Sequence, residues 1–343
     1  MQVPRTPALL TGLGAGAVIF VLLIALGPRP IDVAAERTGN ERISSSFADH
    51  AEKGHHQLAG FIYDNGEVAF GGLGADEHTE FEIGSVTKTF NAELVRQFID
   101  EGSLTLDTQV QDIIDVASAP IADVTLEELL NHTSGLAVME SLSFAEIMVA
   151  NFRDGGNAYR RDTPQDILDA ASTAELTNRG EMQYSNYGHA LLGQLLATHA
   201  DVPYEELLRT RIFEPAGMDN TYIALAHTND GAPRGLDGSG RSAEPWDMDG
   251  WAPAGAIRST PADMAKYVEW VTAHGLPEYG WADLTGEDDQ NYTFHNGGTG
   301  GFRTMLVWDP ESGQPSPTRA AFVVGNTVAG VEKLGIHVLE ETR

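Results

Sequence analysis

Strand-type patterns open and close the body of this 343-residue chain and helical patterns fill its middle. No other feature of the sequence restricts the fold as much. Residues 57–71 (QLAGFIYDNGEVAFG) flank Asp64-Asn65-Gly66 with apolar runs, and Asn-Gly between two such runs predicts a hairpin. The end returns to strands at Gly301 to Trp308 and Ala320 to Gly325, before a last helix around Val331 to Glu341. Between them, Val86, Phe90, Leu94 and Phe98 recur at helical spacing until Gly102. Thr125-x-x-Glu128 is a capping box opening a short helix that ends near Asn131. Asn186 to Ala200 is apolar on most sides and predicts a buried helix, and Pro203 starts another through Phe213. Ser259-Thr260-Pro261 caps a further helix to His274, where Gly275 stops it. This order predicts an α+β fold: first and last strands share a sheet, and a mainly helical region is inserted between them.

Ahead of this body, Ala8 to Leu26 is apolar or small throughout, preceded by Arg5 and followed by Pro28 and Pro30. At 1.5 Å per residue it nearly crosses a ~30 Å hydrocarbon layer. It is long for the ~7–15-residue apolar region of a cleaved signal, yet Val33-Ala34-Ala35 offers the small residues a signal peptidase accepts. Anchor and signal both remain open, and either places the domain at residues 36–343 outside the cytoplasm. Residues 1–35 are then the targeting segment, and the stretch from about 27 to 45 reads as a linker.

The charge balance of 21 Lys plus Arg against 50 Asp plus Glu gives −29 and argues against nucleic acid as a partner. The absence of cysteine removes disulfides, thiolate catalysis, zinc ribbons and iron–sulfur ligation. Gly12, Gly14 and Gly16 follow no strand, so they are no dinucleotide loop. His55-His56 has no further ligands at suitable spacing, so no metal and no cofactor is expected. Glu287-Asp288-Asp289 reads as solvated loop.

Chemistry concentrates at three places. Ser85 and Lys88 stand three apart at a helix start, hence on one face about one turn apart. A serine there sits near N–H groups and a dipole that favour an oxyanion, and a desolvated lysine can take its proton. The plain alternative is an N-cap serine beside an exposed lysine. Tyr184-Ser185-Asn186 precedes the buried helix. Beside an ammonium, a phenol's pKa falls towards that of a usable base, while the alternative is a core tyrosine. Finally, His295-Asn296-Gly297-Gly298-Thr299-Gly300-Gly301-Phe302 provides glycines that let a ligand backbone approach a strand edge.

In this order the motifs resemble the serine β-lactamase and penicillin-binding-protein superfamily, specifically its class C β-lactamase-like and D,D-peptidase-like serine hydrolases. The likeness extends through Phe81 to Phe90, Gly102 to Asp107, Leu129 to Leu136, Ile212 to Met218, Pro253-Ala254-Gly255 and Ser259 to Met264, so it covers roughly residues 45–343. It implies an antiparallel sheet flanked by helices and an acyl-enzyme mechanism on an amide or ester: a D-Ala-type peptide, a small ester or a β-lactam. By resemblance, Ser85 is the nucleophile, Lys88 assists its deprotonation and Tyr184 shuttles the proton. Asn186 holds Lys88 or the substrate amide, and the N–H groups of Ser85 and Gly298, just after Gly297, form the oxyanion hole. His295 stands where this family commonly has a lysine, and a histidine is mostly neutral above ~6.5. That departure lowers the expectation of efficient β-lactamase action. His132 is expected to be structural. The partner implied is a small-molecule or peptide substrate, with the membrane as a second partner if the N-terminal helix is retained. The alternative is an inactive protein of the same fold that binds cell-wall fragments.

Overall fold

The computed structural model describes residues 27–116, 118–139, 157–226, 231–285, 290–309 and 318–342. The apolar stretch Ala8 to Leu26 and the acidic run 287–289 lie outside them. Among the described residues, no helix is long and apolar enough to cross a membrane.

Seven antiparallel strands form the main sheet in the order β1-β3-β2-β10-β9-β8-β7. They are β1 (Arg37–Gly39), β2 (Leu58–Asp64), β3 (Glu67–Leu73), β7 (Ala282–Thr285), β8 (Asn291–Gly298), β9 (Arg303–Trp308) and β10 (Arg319–Gly325). As the sequence predicts, the N-terminal hairpin and the C-terminal strands share this sheet: β2 pairs with β10 from Asp64↔Arg319 to Leu58↔Gly325. The hairpin turns on Asn65 and Gly66, both at positive φ (51° and 90°), the geometry a two-residue primed turn requires. β10 is buried along its whole length, and its alternate residues divide between two cores. Ala321 and Val323 join one, while Ala320, Phe322 and Val324 join the other, as a period of two dictates.

The smaller core lies under α1 (Glu41–His50) and the last helix, α7 (Glu332–Glu341). Here the linker expected over residues 27–45 is corrected, because β1 adds an edge strand to β3 and α1 follows at once. Asn40 caps α1, its Oδ1 accepting from the N–H groups of Arg42 (2.9 Å) and Ile43 (3.3 Å). Only Ile43 and Phe47 supply its large buried apolar side chains, too thin a stripe among serines to stand out by composition. Gly71 makes the contact possible, since a Cβ there would fall 2.7 Å from the Ile43 Cβ.

The larger core holds the helices that carry the site: α2 (Thr87–Asp100), α3 (Leu126–Leu130), α4 (Asn186–Ala200), α5 (Ala252–Gly255) and α6 (Pro261–His274). Every residue of α4 from Tyr187 to Ala197 is buried, which explains its lack of a polar face. Pro203 opens the expected helix, which is α over Tyr204–Leu208 and a π turn over Arg209–Phe213. A second, three-stranded sheet has the order β4-β6-β5, with β4 at Phe81–Glu82, β5 at Tyr222–Ile223 and β6 at Ile257–Ser259. It joins the residues just ahead of Ser85 to the segment after α5.

Candidate active site

Ser85 sits in a single 3₁₀ turn, Gly84–Val86, and α2 begins only at Thr87. The serine therefore precedes the helix instead of opening it. Two glycines set this turn against β8. Gly84 has φ +52°, and a Cβ there would lie 2.7 Å from the Gly298 nitrogen. A Cβ on Gly297 would fall 2.1 Å from the Ile83 carbonyl and 3.0 Å from the Ser85 nitrogen. The two backbones touch with no room for side chains, so the peptide nitrogens of Ser85 and Gly298 meet at one contact. The Thr304 hydroxyl donates to the Ile83 carbonyl (2.8 Å) and pins β9 to the same turn.

Lys88 is fully buried. Its Nζ lies 2.6 Å from the Ala254 carbonyl, 3.0 Å from Asn186 Oδ1 and 3.0 Å from Ser85 Oγ. No carboxylate offsets its desolvation, and burial pulls its pKa down to about 7. The Ala254 and Asn186 oxygens can only accept. Once the amine is neutral its two hydrogens serve them, and its lone pair is left for the Ser85 hydroxyl.

The Tyr184 hydroxyl donates to Ser85 Oγ at 2.7 Å. The lowered phenol pKa that the sequence suggested is corrected here. Burial pushes Tyr184 up to about 12, against the smaller effect of its bond to Ser85. Tyr184 is therefore a protonated donor, and the low-pKa member of the pair is Lys88.

Backbone anchors fix the Tyr184-Ser185-Asn186 turn. Ser185 caps α4 by accepting from the Gly188 N–H (2.9 Å), and its own hydroxyl donates to the Ala137 carbonyl (2.6 Å). The Ser185 N–H donates to His132 Nδ1 (3.1 Å), and the His132 ring packs 4.5 Å from that of Tyr184. Burial drives His132 down to about 3, so it stays neutral and its role here is to position Tyr184. Asn186 Nδ2 donates to the Tyr159 hydroxyl (3.1 Å), which turns Oδ1 towards Lys88.

His295 is buried on β8, with Nδ1 against the Asn296 carbonyl (2.8 Å). Burial, and after it the charge of Lys88, hold it near 4, so it carries no cation at neutral pH. The structure thus brings Ser85, Lys88, Tyr184 and Asn186 into one hydrogen-bonded cluster, with Gly297 and Gly298 against its serine. His295 stands in the strand behind them.

Two cavities flank Ser85 and Tyr184. One, of about 70 Å³, is walled by Tyr159, Asn186, Trp246 and Met248; the other, of about 350 Å³, by Asn296, Gly297, Thr299 and Arg303. Both also touch Trp246 and Gly298. A larger groove of about 750 Å³ beside Gln194, Val202 and Leu225 holds no serine–lysine–tyrosine cluster. The roles of Tyr159, Trp246, Arg303 and the Ala254 carbonyl escape a reading of the sequence. Only Ala254 lay within a recognised motif, and a carbonyl leaves no trace in residue type.

Among the described residues, three side chains of metal-ligating type cluster: His50, His337 and Glu341, at the contact of α1 with α7. The two imidazoles stack face to face at 3.9 Å, so one ion cannot lie in both ring planes. His50 Nε2 is already bonded to the Glu341 carboxylate at 2.6 Å.

The Beta-lactamase family model matches residues 47–334. The chain belongs to that family. Penicillin-binding protein 4 of Amycolatopsis lactamdurans is 28% identical over 260 residues, covering 71% of this chain and 62% of that protein. The Escherichia coli Beta-lactamase is 25% identical over 199 residues, covering 56% and 48%. The chain spans less than two thirds of the length of the curated relatives it matches. Two solved structures share the fold. The class C β-lactamase of Rhodobacter sphaeroides has a TM-score of 0.70 at 16% identity, covering 88% of this chain and 98% of that one. The D-amino acid amidase of Ochrobactrum anthropi has the same TM-score and coverage at 21% identity. This is the serine β-lactamase and penicillin-binding-protein superfamily, and its α+β architecture accounts for the shared sheet.

Proposed function

We propose that this β-lactamase-family chain is a serine acyl hydrolase that forms an acyl-enzyme on an amide or ester. The observation that carries the reading is the convergence on Ser85 Oγ of an amine at 3.0 Å and a phenol at 2.7 Å. A site kept only for binding has no need of a buried, half-neutral lysine. The relatives' names, which include penicillin-binding, β-lactamase and D-amino acid amidase, fit the same bond class.

In acylation, Ser85 Oγ attacks the carbonyl carbon as its proton passes to Lys88 Nζ. The carbonyl oxygen takes the developing charge and is met by the N–H groups of Ser85 and Gly298. The bond to the leaving nitrogen or oxygen then breaks, and that atom leaves with the Tyr184 proton. What remains is an ammonium beside a phenolate. Water then attacks the ester, giving one proton to the phenolate and keeping the other in the released acid, while Lys88 returns the serine's own proton to Ser85 Oγ. Every proton is restored. The apolar stretch Ala8 to Leu26 supports a catalytic domain outside the cytoplasm, membrane-held or released.

A fluorescent fluorophosphonate or penicillin is expected to label the protein, and Ser85→Ala to abolish the labelling. Equal labelling of the variant would remove Ser85 as nucleophile. Tyr184→Phe keeps the ring against His132 and loses the proton. The expected loss in kcat/KM is about 10²-fold on an anilide or peptide and markedly less on a p-nitrophenyl ester, whose leaving group departs unprotonated. Equal losses on both substrates would rule out Tyr184 as the acid.

A further inference from the structure

The groove of about 750 Å³ shares no lining residue with the two cavities beside Ser85. Its walls come from the helix Pro164–Ala170, the second half of α4, the turn that follows α4, the residues after β5 and the start of α5. Gln194 stands eight residues along α4 from Asn186, which is about 12 Å at the rise of a helix. Leu168, Val202, Ile223 and Leu225 give the groove its apolar surface, and its volume is that of a site enclosing most of a small molecule.

Every charged side chain on these walls is an acid. Asp201, Glu205 and Asp249 line the groove, with no lysine, arginine or histidine among the described residues there. None of the three forms an ion pair among the described residues. Asp249 Oδ1 accepts only a backbone N–H, that of Ala226 at 2.9 Å. A concave apolar surface rimmed by uncompensated carboxylates concentrates cations and repels anions.

Gln194 adds an enclosed acceptor. It is 3% exposed, and its Nε2 donates to the Gly250 carbonyl at 2.9 Å. A carbonyl only accepts, so this bond settles which end of the amide is which. Oε1 is left to the groove, with no donor among the described residues. An amide oxygen this enclosed is costly to leave unmatched, and the donor that matches it has to enter through the groove.

We propose that this groove is a binding site for a small organic ammonium: a primary amine, protonated at neutral pH, on an apolar body. The ammonium donates to Gln194 Oε1 within the field of Asp201, Glu205 and Asp249, and the body lies against Leu168, Val202 and Ile223. The site is independent of Ser85, and its failure would leave the hydrolase reading untouched.

The test uses tryptamine, tryptophol and indole-3-propionate, which carry an ammonium, a hydroxyl and a carboxylate on one two-carbon arm of an indole. In calorimetric titrations of the full chain at low salt, tryptamine is expected to bind one site. Its affinity should exceed that of tryptophol about tenfold, with indole-3-propionate weakest. Thr198→Trp, at an exposed position on the wall, puts an indole into the groove and should abolish the binding while the thermal melt stays that of the parent. Asp201→Asn with Glu205→Gln, both exposed, should bring the tryptamine-to-tryptophol ratio several-fold closer to one. If Thr198→Trp melts early, this double variant decides. Equal binding of the three ligands would leave only an apolar surface and overturn the proposal. So would absence of tryptamine binding at millimolar concentration, or binding unchanged in Thr198→Trp, which would place the cation on the general acidic surface.

Discussion

Replacing Lys88 with methionine is expected to lower kcat/KM by about 10⁴-fold, the upper range for removing a general base. The side chain keeps its length and apolar stem and loses the lone pair that faces Ser85 Oγ at 3.0 Å. The parent's pH profile should show the same group. With a pKa near 7, Lys88 is protonated and inactive as a base below neutrality. The rate should fall about tenfold per pH unit there and level off above pH 7.

Stability carries an independent sign. An exposed lysine in the unfolded chain titrates near 10.5 and the buried one near 7. Between those values the unfolded state holds a proton that the native state lacks, so the stability of the parent rises with pH across this window. Below pH 7 both states are protonated and the contribution is flat. Urea unfolding at pH 7, 8.5 and 10 should show this rise in the parent and its loss in Lys88→Met. A variant with the parent's slope would mean that Lys88 is not neutral at high pH in the folded protein.

Arg258→Gln is expected to cost about 3–5 kcal/mol, because it strands buried carboxylate. Arg258 is fully buried on β6, with Nη1 2.9 Å from Glu82, Nε 2.5 Å from Glu80 and Nη2 2.6 Å from the Pro233 carbonyl. The Glu82 carboxylate is 2% exposed. Burial raises its pKa and Arg258 works against that rise. Without the guanidinium only the hydrogen bonds from Thr299 and Trp246 oppose the effect of burial, so at neutral pH the native state must either hold a poorly compensated buried charge or take up a proton.

The deficit should therefore be largest at pH 7 and shrink towards pH 5, as protonated Glu82 ceases to need a cation. Adding Glu82→Gln should recover part of the loss. Urea unfolding of the single and double variants at both pH values measures this, and a deficit independent of pH would show that packing, not charge, is lost. The effect reaches the site because Glu82 lies three residues before Ser85 and accepts the Trp246 N–H at 2.8 Å. Trp246 walls both cavities.

What the sequence determined by itself was local, or periodic enough to survive without context. The Asn65-Gly66 turn, the helical stripe after Ser85, the caps at Thr125 and Thr260 and the two strand patterns at the ends all fix backbone choices within a few residues. That the end strands share one sheet then follows, because strands this apolar need partners on both edges. Ser85, Lys88, Tyr184 and Asn186 were legible because a hydroxyl, an amine, a phenol and an amide advertise their chemistry by type. The helix at Glu41–His50 was not, since Ile43 and Phe47 matter only once Gly71 lets them reach the sheet.

The tertiary structure decided what those groups are. Burial, which is a property of neighbours distant in sequence, brings Lys88 to about 7, in line with the desolvated lysine the sequence suggested, and keeps Tyr184 protonated, against the lowered phenol that adjacency suggested. It holds His295 neutral on its strand. It also lays the guanidinium of Arg303, a residue of ordinary type, flat on Gly298.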